Sequence, residues 1–201
     1  MKGTHVISLP EVAVKSETSI EQALHQRRSI RDYRNIPLTL KEAAQILWAA
    51  QGVTDAMGLR TAPSAGALYP LECHLVSGNV ENLPPAVYHY NAQLQELMQI
   101  SEGDKREEIS RAALHQMWIK EAAAVIVLSA VFERITSKYG ERGIRYAHME
   151  VGHAAQNICL QSISLGMGTV VVGAFEDEEV QRIIKAANDV KPLCLLPIGK
   201  H

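Results

Sequence analysis

Ala155-Gln-Asn-Ile-Cys-Leu-Gln-Ser-Ile-Ser-Leu-Gly-Met-Gly-Thr-Val-Val-Val-Gly173 is the stretch on which the fold turns, because a long apolar helix ends in it and a short buried strand begins. Ile144, Ala147, Val151, Ala154, Ala155, Ile158 and Leu165 recur at three-and-four spacing, with Ser162 as the polar exception, which predicts a helix with one buried face from about Glu141 to Leu165. Gly166 and Gly168 are expected to stop it, since glycine takes the positive φ of a helix C-terminus without strain. Thr169-Val170-Val171-Val172 is β-branched and reads as a strand closed by Gly173. A main chain bared by glycine at the end of a core strand lets a planar ligand reach backbone N–H groups. The plainer alternative is a tight helix-to-strand turn with no ligand.

With 201 residues the chain is long enough for one sizeable core and short for two, so a single domain over 1–201 is expected. A formal net charge of -2 gives no broad electrostatic case for nucleic acid or an anionic membrane. No apolar run reaches the roughly eighteen residues of a membrane span, and the N-terminus lacks a signal-peptide layout; a soluble, cytoplasmic protein is expected. Cys73, Cys159 and Cys194 are scattered through apolar segments without CxxC spacing and read as reduced core residues. The histidines show no ligand spacing, His148 and His153 reading as packing or interface residues, and no metal site is expected.

Outward from the opening stretch, residues 1–15 read as an extended lead-in. Thr18 with Glu21, or Ser19 with Gln22, forms a capping box for a helix through about Gln26, and Thr39 with Glu42 caps a second that runs to Gly52. Leu71 to Leu75 and Ala86 to Tyr90 read as strands, Asp104 to Leu114 as a polar helix, and Ala122 to Phe132 as a central strand covered on both faces. Ser137-Lys138-Tyr139-Gly140 reads as a loop. Asp177 is expected to cap a helix with Val180, Ile183, Ile184 and Ala187 inward, and Pro192 to Ile198 is the last strand. The alternation predicts a mixed α+β sandwich. Any excess apolar face on the long helix is one a homodimer would bury.

Two segments stand out chemically. Arg27-Arg28-Ser29-Ile30-Arg31-Asp32-Tyr33-Arg34 is either a solvated charged face or an anion site, since arginine forks and a hydroxyl suit phosphate oxygens. Pro63-Ser64-Ala65-Gly66-Ala67-Leu68-Tyr69-Pro70 is small and apolar between prolines: a plain loop, or a surface against which something flat lies.

Taken in order, Arg-Arg-Ser-Ile-Arg-x-Tyr (27–33), Pro-Ser-Ala-Gly-Ala-Leu-Tyr-Pro (63–70), Gly-His-Ala-Ala-Gln-Asn (152–157), Leu-Gly-Met-Gly-Thr-Val-Val-Val-Gly-Ala-Phe (165–175) and Leu-Pro-Ile-Gly-Lys (196–200) resemble the nitroreductase superfamily of FMN-dependent oxidoreductases, and within it the SagB-type dehydrogenase branch. The resemblance implies a three-layer α+β sandwich, a central and mostly antiparallel sheet flanked by helices, in an intertwined homodimer holding FMN at the subunit interface. By position, Arg27, Arg28 and Ser29 match the residues that hold the FMN phosphate and ribityl chain, and Arg31 matches the basic residue beside N1 and O2. Pro63, Ser64, Ala65 and Gly66 match the loop packed on the FMN of the opposite subunit, Gln116 an amide near the pyrimidine edge, and Val172 and Gly173 the turn whose main chain meets N5 and O4. Ala67 stands where some relatives carry asparagine. Many relatives continue past the last strand to supply a further basic residue, which leaves Lys200 as the candidate for that role here.

The resemblance implies hydride chemistry at flavin N5, with no side-chain nucleophile or metal. No GxGxxG follows a strand, so NAD(P)H would be a transient reductant. Azoline-oxidising members of the SagB-type branch carry a Lys-Tyr pair in the region of Lys138 and Tyr139, proposed to take the substrate proton; an ordinary surface loop is the other reading. The functions that follow are a reductase passing electrons from NAD(P)H to a nitroaromatic, quinone or similar acceptor; an azoline dehydrogenase acting on a peptide or small molecule with partner proteins; and a flavin-binding subunit without turnover.

Overall fold

The computed structural model describes residues 5–201, built in chain order from β1 (Val6–Ser8), α1 (Ile20–Gln26), α2 (Leu40–Gln51), β2 (Leu71–Ser77), β3 (Ala86–Asn91), β4 (Glu96–Glu102), α3 (Arg106–Ala112), α4 (Trp118–Glu121), β5 (Ala124–Val131), α5 (Glu133–Tyr139), α6 (Arg142–Ser164), β6 (Met167–Thr169), α7 (Asp177–Ile183) and β7 (Val190–Lys200). A 3-10 turn, Ala65–Ala67, lies between α2 and β2. The strands form one sheet in the order β1-β4-β3-β2-β5-β7-β6, with antiparallel neighbours throughout.

β5 is buried at every residue because its alternating side chains serve two cores. Ala124, Ile126, Leu128 and Ala130 pack with Ile46 and Leu47 of α2 and Ala147, Ala154 and Ile158 of α6. Val125 and Val127 pack on the other face with Ile109 of α3, Ile119 of α4 and Val180 of α7. The expected α+β arrangement of an antiparallel sheet between helices is therefore what the chain adopts. Ser19 with Gln22 and Thr39 with Glu42 both close capping boxes, which settles the first helix start on Ser19. Ser162, on the buried stripe of α6, satisfies its hydroxyl by donating to the Ile158 carbonyl at 2.8 Å. All three cysteines are free and buried, and burial pushes their thiols up. Among the described residues no helix is long and apolar enough to cross a membrane.

Several expectations are corrected. Gly166, at φ 63, ends the turn after α6, but Gly168 lies inside β6 and pairs with Gly199. The strand therefore starts two residues earlier than its β-branched composition suggests and ends at Thr169, with Val172 bridged singly to Leu195. Lys138 and Tyr139 occupy the last turn of α5 instead of a loop. The N-cap of α7 is Glu176, one residue before Asp177, and Ala187 is exposed beyond the helix end. The lead-in supplies an edge strand, since β1 pairs with β4.

Candidate functional site

The arginine run leaves α1 and lies along β6. Ser29 forms a parallel bridge with Thr169, the Ile30 N–H donates to the Thr169 carbonyl at 3.0 Å, and the Arg34 N–H donates to the Lys200 carbonyl at 2.9 Å. Tyr33 is the buried anchor: its hydroxyl lies 2.9 Å from the Ile30 carbonyl and 3.1 Å from the Pro197 carbonyl, and its ring fills the space beside Gly199. Arg28, Ser29, Arg31 and Arg34 are exposed, Arg27 is half-buried, and none of the four arginines is ion-paired among the described residues. Arg28 Nη1 donates to the His25 and Arg27 carbonyls at 3.0 and 2.7 Å, closing the negative end of α1. The Arg31 guanidinium lies 5.5 Å from the Trp118 ring centroid, a cation–π contact.

Across the same end of the sheet runs the turn after β6. Val170 and Val172 are buried and Val171 and Gly173 exposed, while Val172 exchanges two main-chain hydrogen bonds with Leu195, each 2.9 Å. Gln116 Nε2 donates to the Ala113 carbonyl at 2.9 Å and the Ala174 carbonyl at 3.1 Å, so this amide secures the chain just past Gly173. A Cβ on Gly173 would meet nothing within 4 Å, and the Gly173 N–H has no acceptor among the described residues. Arg27 to Arg31, Gln116, Val172 and Gly173 are thus drawn to one sheet end, tied by Thr169 and by the segment holding Gln116 and Trp118.

A second group forms around the 3-10 turn. The Tyr69 N–H donates to Ser64 Oγ at 2.9 Å, and Gly66 holds φ 65. A Cβ on Gly66 would lie 2.7 Å from Tyr139 Oη and 3.1 Å from Lys138 Nζ, which brings the Lys-Tyr pair onto the Pro63–Gly66 segment. Tyr139 packs edge-on against Tyr146 with centroids 5.2 Å apart. Among the described residues no hydrogen bond, ion pair or ring contact joins this group to the first.

Residues 24–200 match the sequence profile of the Nitroreductase family. The chain belongs to the nitroreductase family. It is 45% identical over 200 residues to a Methanocaldococcus jannaschii protein with the provisional name nitroreductase MJ1384, covering 100% of this chain and 98% of that one. It is similar to the crystal structure of an Anabaena variabilis protein, also provisionally named a nitroreductase, with TM-score 0.87, 28% identity and coverage of 98% of this chain and 42% of that chain. It is also similar to a chain of the Escherichia coli microcin synthetase McbBCD complex with truncated pro-MccB17 bound, with TM-score 0.75, 25% identity, and coverage of 100% and 79%.

In this nitroreductase-family chain Lys200, the candidate for a further phosphate contact, is paired with the Glu42 carboxylate. Burial pushes the Glu42 carboxyl up, but Lys200 and Thr39 outweigh it and hold it below the usual range. A cavity of about 470 Å³ between residues 13–20, α2 and α6 is lined by none of the residues matched to the flavin and by neither Lys138 nor Tyr139. Two residues missed in the sequence matter here. Trp118, which stacks with Arg31, carries no pattern that reveals it. Glu150 does, because a carboxylate sits on the apolar stripe between Ala147 and Ala154. Its side chain is 1% exposed with neither oxygen hydrogen-bonded, and burial, only partly offset by the nearby Ser64 hydroxyl and Arg60 guanidinium, raises its pKa to about 7.

Proposed function

We propose that this chain is an FMN-dependent oxidoreductase that works as a homodimer and passes hydride from NAD(P)H to a nitro, quinone or similar acceptor. The observation that carries the reading is the seating of arginines without carboxylate partners on the sheet end where the Gly173 main chain is open. A phosphate monoester needs cations and a hydroxyl without competing carboxylates, and Arg27, Arg28 and Ser29 offer these. Arg31 holds positive charge beside them, steadied by Trp118, where it favours negative charge on the pyrimidine edge of a flavin. Val172 is pinned to Leu195 by two main-chain hydrogen bonds, so the N–H of Gly173 is presented just past a fixed bridge, suited to a ring acceptor such as O4 or N5. Pro63, Ser64, Ala65 and Gly66 of a second copy supply the flat surface opposite. When bound, the flavin supplies reversible hydride acceptance at N5, which no side chain of this protein provides.

A second reading, a dehydrogenase of azolines in a peptide or small molecule, is favoured by the contact of Lys138 and Tyr139 with Gly66 and by the likeness to the microcin synthetase chain. In it Lys138 takes the proton from the ring carbon, with Tyr139 alongside to stabilise charge.

The visible spectrum of the purified protein, followed by anaerobic titration with NADH and NADPH, tests both. Bands of oxidised flavin that bleach with either nucleotide, and recover with a quinone, are expected. Bleaching only with an azoline substrate selects the second reading, and tight FMN with neither identifies a flavin-binding subunit without turnover. A colourless protein that takes up no FMN overturns all three.

A further inference from the structure

Three side chains of α6 meet the segment between α2 and β2 in turn. Tyr146 packs on Tyr139, whose hydroxyl crowds Gly66, and Asn157 Nδ2 donates to the Thr61 carbonyl at 3.2 Å. Between them Glu150 has the Ser64 hydroxyl and the Arg60 guanidinium as its polar neighbours. Spacings of four and seven residues put all three on one side of the helix. Tyr146 and Asn157 act by packing and by a main-chain tie. Glu150 is different, since it is 1% exposed, neither of its oxygens is hydrogen-bonded, and the hydride chemistry does not use it.

The groups around Glu150 converge on a strained turn. Ala67 and Tyr69 hold φ 54 and 46, left-handed values that residues with a Cβ seldom adopt and that neighbouring contacts must sustain. Two of those contacts lead back to the carboxyl group. Ser64 Oγ accepts from the Tyr69 N–H at 2.9 Å, which leaves its own hydrogen to be donated. The Arg60 main-chain N–H donates to Tyr69 Oη at 3.2 Å, and its guanidinium lies 4.6 Å from the Tyr69 ring centroid, with Nε buried and lacking an acceptor. Glu150 leads the charged groups that bear on Arg60, yet no ion pair joins the two among the described residues. A buried carboxyl group and a buried guanidinium, each short of a partner, attract one another once the carboxyl ionises. The other titratable groups nearby are engaged elsewhere: Glu72 of β2 with Arg134 and His89, Lys138 and Tyr139 of α5 at Gly66, while His148 and His153 of α6 are exposed.

We propose that Glu150 is a positioning residue: ionised, it accepts from the Ser64 hydroxyl, draws in Arg60, and so holds Pro63–Gly66 in the form that lies against the flavin of a second copy. The inference rests on the reading of that segment as one wall of the flavin site. Such coupling is reciprocal, so a bound flavin in turn favours the ionised carboxylate. Burial, only partly offset by Ser64 and Arg60, raises the pKa of Glu150 to about 7, within the range a binding assay can scan.

Riboflavin, which carries no phosphate to titrate in this range, is the probe, added to the full chain freed of flavin and followed by fluorescence from about pH 5.5 to 8.5, on either side of the pKa of Glu150. The wild type is expected to bind it about tenfold more tightly at the upper end, the equivalent of one pKa unit of coupling. Glu150→Gln keeps the shape of the side chain but cannot ionise, and is expected to bind riboflavin equally across the range. Ser64→Ala removes the hydroxyl through which the carboxylate acts, and is expected to bind more weakly and to lose most of the pH dependence. A merely structural role for either residue would shift affinity by the same factor at every pH. Riboflavin affinity in the wild type that does not change with pH overturns the proposal and leaves the flavin reading standing. So does a pH dependence undiminished in Glu150→Gln and Ser64→Ala. No binding of riboflavin or FMN at any pH overturns the flavin reading and this inference with it.

Discussion

Ile30 and Thr169 are joined at the edge of the sheet by a main-chain hydrogen bond of 3.0 Å, and the Ile30 side chain stands where a side chain on the neighbouring Gly168 would be. This contact lays the arginine run on β6 and joins two segments far apart in the chain. A Cβ on Gly168 would lie 2.5 Å from Ile30 Cγ2 and 2.8 Å from its Cβ, both rigid atoms of a β-branched residue.

Gly168→Ala is therefore expected to destabilise the fold by about 1–3 kcal/mol, the range for overpacking a filled site. Urea unfolding of Gly168→Ala, Ile30→Ala and the double variant checks this. The two losses should be less than additive, because removing the Ile30 branches relieves the clash. Additive losses would mean that the two residues do not meet.

Arg28→Ala is expected to weaken FMN about 10- to 100-fold, corresponding to about 1.5–3 kcal/mol for one hydrogen bond to a charged group. Arg28 also closes the end of α1 through the His25 and Arg27 carbonyls, so loss of FMN affinity alone does not place it at the phosphate. Riboflavin, which has the ring and ribityl chain but no phosphate, separates the two effects in a fluorescence titration. A general loosening of α1 weakens both ligands equally; phosphate contact penalises FMN alone, and that is the expected result.

Glu150 makes stability depend on pH in a direction opposite to most paired carboxylates. Its pKa in the folded protein is about 7, raised from 4.5 chiefly by burial, so the native state binds a proton more tightly than the unfolded chain. Stability from this group is unaffected below pH 4.5, falls as pH rises between about 4.5 and 7, and is level above that. The full effect is on the order of 3 kcal/mol, at about 1.4 kcal/mol per pH unit. Glu150→Gln is expected to unfold at higher urea than the wild type at pH 8 and at nearly the same urea at pH 4.5. Equal shifts at both pH values would show that the carboxyl does not titrate in this window.

What the sequence disclosed follows from how far each feature depends on distant residues. α6 and β5 were legible because periodicity and an unbroken apolar run are local, and the capping boxes because they need only four residues. β4 went unread: its polar and apolar residues alternate poorly, and the β3–β4 connection places Gln95 at φ 53, where glycine or asparagine would have marked a turn. The arginine run and the glycine-bounded turn were visible singly, but their juxtaposition rests on main-chain bonds that leave no residue pattern. The stacking of Arg31 on Trp118 and the pairing of Lys200 with Glu42 are tertiary contacts of the same kind.

The proposed flavin site draws on a second copy, and α6 offers a face on which the two would meet. Arg145, Met149, Gly152 and Gln156 follow one another up the exposed side of this helix, with Met149 53% exposed and nothing within 4 Å of a Cβ on Gly152. Glycine inside a helix costs about 1 kcal/mol relative to alanine, so its presence on an open face points to a neighbouring backbone that comes close. The wild type is therefore expected to sediment as a dimer. Gly152→Trp is expected to sediment as a monomer with an unchanged far-ultraviolet circular dichroism spectrum, because the indole has free space in one chain and none between two. Its FMN affinity should fall as well, since Pro63 to Gly66 of the second copy no longer reach the ring. A wild-type monomer that binds FMN as tightly as Gly152→Trp would leave the arginine run as a site complete in one chain and remove the second copy from the mechanism.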